Sequence, residues 1–184
     1  MPSWQKVARR VRIPLGFLLA VAYIWLAHPT FRSVVTGSCI SLIGLLIRAF
    51  ASGHVTKNEQ LTTSGPYAYT RNPLYFGSLI LAIGFAVASR SWGIALIAAV
   101  MFFAIYIPVI HGEEGFLRSH FPEFDEYAHH VPRLVPRLLP YGHSATAFSW
   151  DLYWKHREYN AAIGTAFMIV AMIVKAILIA ARQS

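Results

Sequence analysis

Charge is what this sequence has least of. Only 13% of its 184 residues are Asp, Glu, Lys or Arg, about half the share of an average soluble domain. A conventional soluble enzyme would not stay hydrated on so few charges, and a disordered chain would not be 56% hydrophobic. Acids are scarcer than bases, eight against sixteen. There is one cysteine, Cys39, inside an apolar block where burial is expected. A lone thiol supports neither a disulfide framework nor a cysteine metal site. The sequence also lacks a glycine-rich phosphate loop, a nucleophile elbow, an internal repeat and a low-complexity linker.

The apolar residues are gathered into blocks. Five segments, 13–29, 34–50, 73–89, 92–110 and 161–181, are candidate membrane helices. Crossing a hydrocarbon core of about 30 Å takes about 20 residues, which the last two reach and the first three approach. A soluble bundle would need polar helix faces that are missing here. A basic stretch precedes the first block, but no clean small-residue cleavage site follows it, so we read a retained span rather than a signal peptide. The expected fold is therefore all-α, a single polytopic membrane domain over 1–184 with about five transmembrane helices.

Short links at 28–33 and 89–91 make two tight hairpins, and the two remaining connections, 51–72 and 111–160, are long and polar. Twelve of the sixteen bases fall in the N-terminal segment or beside these long connections, and all eight acids lie within the connections. The bases follow the positive-inside pattern, which predicts a cytoplasmic N-terminus and puts any chemistry at the cytoplasmic face. The basic residues flank apolar blocks instead of forming a stripe on a soluble face, so no nucleic-acid partner is expected. Arg48 and Lys175, near helix ends, are expected to snorkel toward head groups. The aromatic stretch after residue 141, with Phe148, Trp150, Tyr153 and Trp154, predicts an interfacial helix leading into the last span, so that 141–184 forms one unit.

Two stretches carry possible chemistry. The first runs Glu59-Gln60-Leu61-Thr62, then Gly65-Pro66-Tyr67, then Arg71-Asn72-Pro73-Leu74-Tyr75-Phe76-Gly77. Its turn dipeptides predict an ordered loop, with Pro73 in the first turn of the third span, where a missing N–H costs nothing. The second is His111-Gly112-Glu113-Glu114, expected directly after the fourth span. Adjacent carboxylates there need solvent, a cation or a ligand. Beside Arg71 and two tyrosines they suit a cationic polar ligand, since tyrosine faces attract onium groups and carboxylates accept bonds from ammonium and hydroxyl groups. The plainer readings are an ordinary loop with interfacial tyrosines and a solvated helix end. Eight histidines raise a metal site, but His111, His120 and His129-His130 show no second matching box, and no metal is expected.

Taken together in order, Gly65-Pro66-Tyr67, Arg71-Asn72-Pro73-Leu74-Tyr75-Phe76-Gly77, an apolar hairpin, Glu113-Glu114, Leu117, Phe121, Tyr127 and Val131-Pro132 resemble the isoprenylcysteine carboxyl methyltransferase family. The related integral-membrane phospholipid methyltransferases share the pattern, which covers residues 48–138. The resemblance implies an S-adenosyl-L-methionine-dependent methyltransferase without a Rossmann domain, its cofactor held under a cytoplasmic cap beside a tunnel open to lipid. Carried over by position, it implies cofactor contacts at Glu59, Gln60, Leu61, Thr62, Tyr67, Asn72, Pro73, Tyr75, Gly77, Glu113 and Glu114. It also implies catalytic roles for Arg71, Glu113 and Glu114. Two positions depart from the family: Asn72 stands for the usual histidine, and Val109 stands where prenylcysteine enzymes carry an arginine. An amide binds hydrogen-bonding partners but transfers no proton.

The expected substrate is an amphiphilic small molecule or lipid entering from the bilayer. A prenylated cysteine carboxylate and a phospholipid amine both fit, and a non-catalytic binding protein of the same fold is the remaining alternative.

Overall fold

The computed structural model describes residues 4–56, 60–142 and 146–183, and among these every regular element is helical. Glu59, one of the expected cofactor contacts, lies outside the described residues. The long helices are α1 (Trp4–Leu26), α2 (Phe31–Ser52), α3 (Pro73–Ser89), α4 (Trp92–Met101) and α5 (Ile107–His120). Three more follow: α6 (Phe124–His130), α7 (Trp150–Lys155) and α8 (Tyr159–Ala181). Helices α4 and α5 are one rod joined by a wider π turn over Phe102–Tyr106. Among the described residues three helices are long and apolar enough to cross a membrane: Phe31–Ser52, Trp92–His120 and Tyr159–Ala181. Pro14–Leu26 and Pro73–Ser89 are shorter apolar helices packed among them. The chain is a polytopic all-α membrane protein.

Local signals set the boundaries. Thr30 and Ser33 form a reciprocal capping box at the start of α2, extending it beyond the expected 34–50. Pro73 occupies the first turn of α3, as its missing N–H allows. The α3–α4 link is the expected tight turn: Arg90 closes α3 in the left-handed region at φ 50°, and the Ser91 side chain caps α4. The fourth span corrects the sequence reading. It does not end near residue 110 but continues as helix to His120. Glu113 and Glu114 therefore lie within the rod, about two turns before its end, where tertiary partners sustain a helix beyond the apolar run that sequence reading can follow.

The tightest packing is between α2 and α3, along a seam of small residues. A Cβ on Gly84 would come within 2.3 Å of Ser41 Oγ, 2.6 Å of Ser41 N and 2.7 Å of Gly37 O. One on Gly44 would meet Gly77 O at 2.7 Å, and one on Gly77 would meet Gly44 O at 2.8 Å. Close backbone approach of this kind replaces the hydrophobic effect, which offers little between helices already in lipid. Cys39 lies on the exposed face of α2, contrary to the burial expected of it.

Two cations that sequence reading sends to the head groups also make contacts between helices. Lys175 of α8 donates to Ile24 O at 2.6 Å and Trp25 O at 3.0 Å, which satisfies carbonyls at the C-terminal end of α1. Arg48 of α2 pairs through Nε with Glu158 Oε1 at 2.5 Å and donates to Ser78 Oγ, joining α2, α3 and the start of α8. Helix α7 carries exposed Trp150 and Trp154, the composition of an interfacial helix.

Candidate functional site

Helix length fixes the depth of the carboxylate pair. The 29-residue rod Trp92–His120 is about 44 Å long at 1.5 Å per residue, against a hydrocarbon core of about 30 Å. Counted from Trp92, which is 92% exposed and suited to the opposite head-group belt, the core is crossed near residue 111. Glu113 and Glu114 thus sit at the boundary. Helix α3, with 17 residues, spans only about 25 Å, so the loop at its N-terminus is drawn down to the same level.

Glu114 is the hub there. It is 6% exposed and engages three partners. Asn72 Nδ2 donates to its Oε1 at 3.2 Å, Arg133 Nε donates to its Oε2 at 2.9 Å, and Arg71 Nε lies 3.4 Å from Oε1. Asn72 Nδ2 also donates to Arg133 O at 2.9 Å. Asn72 holds the cap position of α3, yet its side chain makes no capping bond, because its amide is committed across the site. Arg71 is half-buried, its side chain 12% exposed, and although its buried Nε is within ion-pair distance of Glu114, that Nε has no hydrogen-bond partner among the described residues. Glu113 points to a different neighbour: its Oε1 accepts from Tyr75 Oη at 2.9 Å.

A strap from the long second connection covers the loop. Arg71 N donates to Pro132 O, Arg137 N to Tyr69 O, and Tyr141 N to Ala68 O, each at 2.9 Å. Thr70 Oγ1 reaches Leu134 O at 3.0 Å, and Tyr127 Oη donates to Tyr67 O at 2.7 Å. Phe124, Tyr127 and Val131 form the buried centre of this cap, with Leu61, Leu117, Phe121 and Tyr141 packed around them. Burial pushes the phenols of Tyr67 and Tyr127 well above their ordinary range. At Tyr67 the nearby Tyr127 and Glu113 add to the rise, while Arg71 opposes it at Tyr127. Both are neutral donors at physiological pH.

Of the residues singled out from sequence, Tyr67, Arg71, Asn72, Tyr75, Glu113 and Glu114 come together under the cap. Pro73 is buried at the start of α3. Leu61 is seated in the cap cluster, whereas Gln60 and Thr62 both reach back to Thr56. Gly77 lies in the α2–α3 seam against Gly44 and Arg48. Val109, 1% exposed, packs with Ile105 in a cluster that includes Tyr75 and Tyr106, so the wall behind the Tyr75–Glu113 bond is apolar. Sequence reading missed Arg133 and Thr70. Arg133 directly follows the Val131-Pro132 signal and is exposed enough to resemble any surface arginine. It also approaches His111 Nε2 through Nη1 at 3.1 Å. No group of three or more His, Cys, Asp or Glu among the described residues is arranged to hold a metal ion.

These features define a class: a membrane protein with a capped polar site at the lipid boundary, built from a proline-started helix and a carboxylate pair. Residues 11–123 match the phospholipid methyltransferase family model, and the chain belongs to that family. It is 32% identical to the cobalt-zinc-cadmium resistance protein CzcN of Cupriavidus metallidurans over 82% of this chain and 68% of that one. It is 29% identical to the nickel-cobalt-cadmium resistance protein NccN of Alcaligenes xylosoxydans xylosoxydans, over 83% and 70%. The protein-S-isoprenylcysteine O-methyltransferase of Schizosaccharomyces pombe shares 32% identity over 46% of this chain and 36% of its own. No solved structure matches.

Proposed function

We propose that the protein is an integral-membrane methyltransferase that uses S-adenosyl-L-methionine and methylates an amphiphilic acceptor reaching the site from the bilayer. The observation that carries this reading is a buried Arg71 Nε without a hydrogen-bond partner among the described residues, set beside a carboxylate pair of which one member is fully engaged and the other only lightly. The amino-acid end of the cofactor is a zwitterion. Its carboxylate suits Arg71, and its ammonium and ribose hydroxyls suit Glu113, with the Tyr67 and Tyr75 rings available to an onium centre. Family membership supports the same reaction class.

When bound, the cofactor supplies a methyl group already activated on a sulfonium. The protein is left with alignment and exclusion of water, and alignment alone is worth about 7–11 kcal/mol in favourable cases. Glu114 fixes the loop that bears Arg71 and holds the strap over it through Arg133. Tyr75 orients Glu113 by donating to it, which leaves the other carboxylate oxygen to bind a ligand or accept a proton. An acceptor amine must lose a proton, and Glu113 is positioned to take it; a carboxylate acceptor requires no base. Asn72 plays no part in proton transfer, since its amide is spent on Glu114 and Arg133.

The apolar wall at Val109 favours an acceptor with a lipid-like body and offers no counter-charge to a carboxylate, so a phospholipid amine is the preferred acceptor and a prenylcysteine carboxylate the second. A role in metal resistance rests on the names of two relatives alone. Equilibrium dialysis of the detergent-purified protein against labelled S-adenosyl-L-methionine tests the reading. Saturable binding displaced by S-adenosylhomocysteine is expected, and no binding at millimolar cofactor overturns it. Methyl-labelled cofactor added to membranes then identifies the acceptor by the extracted molecule that gains label.

A further inference from the structure

Near the site the Tyr75 and Tyr106 rings meet across α3 and the π turn, 5.7 Å between centroids, while the other end of the α3–α4 hairpin is open. Between its arms, in the half of the bilayer remote from Glu113, lies a groove of about 590 Å³, within the range of sites that hold small ligands. Alanines line both arms, Ala82 and Ala86 on α3 and Ala95, Ala98 and Ala99 on α4, leaving space where larger side chains would interlock. Its lining includes Phe102 at the π turn and, at the α3–α4 link, Arg90. Arg90 is an exposed residue held at this position by the left-handed turn it forms. No ion pair to its guanidinium occurs among the described residues, and all eight acids of the sequence fall in the two long connections at the opposite end of the hairpin. Neighbouring Trp92, almost fully exposed, marks the head-group level at this end.

An apolar slot running into the bilayer below a free cation at head-group depth is complementary to an anionic amphiphile standing upright. We propose that this groove is a binding site for one anionic phospholipid of the leaflet opposite the site, with an acyl chain along the alanine walls and its phosphate on Arg90. The length of α3, about 25 Å, separates the phosphate site at Arg90 from Glu113, so the proposal stands whether or not the site transfers methyl groups.

Native mass spectrometry of the detergent-purified protein, titrated separately with phosphatidylglycerol and with phosphatidylcholine of the same acyl chains, tests it. The wild type should retain phosphatidylglycerol at least tenfold more tightly. Arg90→Gln should remove that preference and Arg90→Lys should keep it. Ala98→Trp, which fills the slot while preserving the cation, should reduce retention of both lipids. Thermal unfolding of each variant confirms that it is folded. Equal retention of the two lipids by the wild type, or a preference that survives Arg90→Gln, overturns the proposal; so does lipid binding unchanged by Ala98→Trp in a folded protein.

Discussion

The two adjacent glutamates have different tasks. Glu114 is buried and meets an amide and two guanidinium groups, so removing its charge leaves Arg71 and Arg133 without their common partner. Glu114→Gln is expected to cost about 1–3 kcal/mol of stability, read as a lowered unfolding temperature in detergent. Glu113 accepts one phenol bond among the described residues and is only partly buried. Glu113→Gln should leave the unfolding temperature within a few degrees and weaken S-adenosyl-L-methionine binding at least tenfold. The same variant pair therefore separates scaffold from ligand contact. The buried phenols add a pH dependence. Tyr67 and Tyr127 keep their protons in the folded protein beyond the ordinary phenol value of about 10, where an unfolded chain loses them. The folded state then binds more protons than the unfolded one, so stability must fall as pH rises above about 10. Unfolding temperatures measured from pH 9 to 11 should show this decline, and Tyr67→Phe should flatten it.

At the scale of elements, the α2–α3 seam and the strap carry the architecture. Gly84→Ala places a methyl against the backbone of α2 and should destabilise by about 1–3 kcal/mol. Gly115→Ala meets nothing within 4 Å and should stabilise its helix by about 0.5–1 kcal/mol. Chemical denaturation of both variants in one detergent distinguishes a seam from a generic helical glycine. Much of this level was legible in the sequence. Apolar blocks, the Pro73 start and the Ser89-Arg90-Ser91 turn depend on local chemistry, and they were found where that chemistry places them. The true length of the α4–α5 rod was not, because what sustains helix past His111 is a set of partners up to 42 residues away in sequence, such as Asn72 on Glu114. Arg133 was missed for the same reason. Its sequence neighbourhood is that of a solvated loop, and only the fold turns it toward a buried acid. The family motifs were recognisable because a loop, a proline and a carboxylate pair in fixed order form a signal that neighbouring residues carry by themselves.

For the whole molecule, the segregation of charge predicts one orientation. The site, the strap and all eight acids belong to one side, and Arg90 and Trp92 to the other. With Cys39→Ala as background, single cysteines at Ser119 and Arg90 report the two faces. A membrane-impermeant maleimide added to intact cells should label Arg90→Cys at once and Ser119→Cys only after permeabilisation. The reverse pattern would put the site outside and contradict the positive-inside reading. The helix-to-helix contacts of Lys175 and Arg48 belong to this scale too. Each ties α8 to the rest of the bundle by a polar bond near one membrane boundary, which lets a helix with few buried side chains hold its place.

The π turn at Phe102–Tyr106 sets a phase. In a regular helix each residue advances about 100°, and a π turn accommodates roughly one extra residue. Deleting one residue within it would restore regular winding and leave Glu114 facing the site, whereas deleting one from the regular turns on either side would bring Gly115 into the position facing Arg71, Asn72 and Arg133, with Glu114 moved to the place of Glu113. The lipid-facing half of the rod would look unchanged to the bilayer, while the cationic half of the site would confront a residue with no side chain. Insertions and deletions in this span are therefore filtered by electrostatic registration some three turns away, a constraint that no hydropathy profile records.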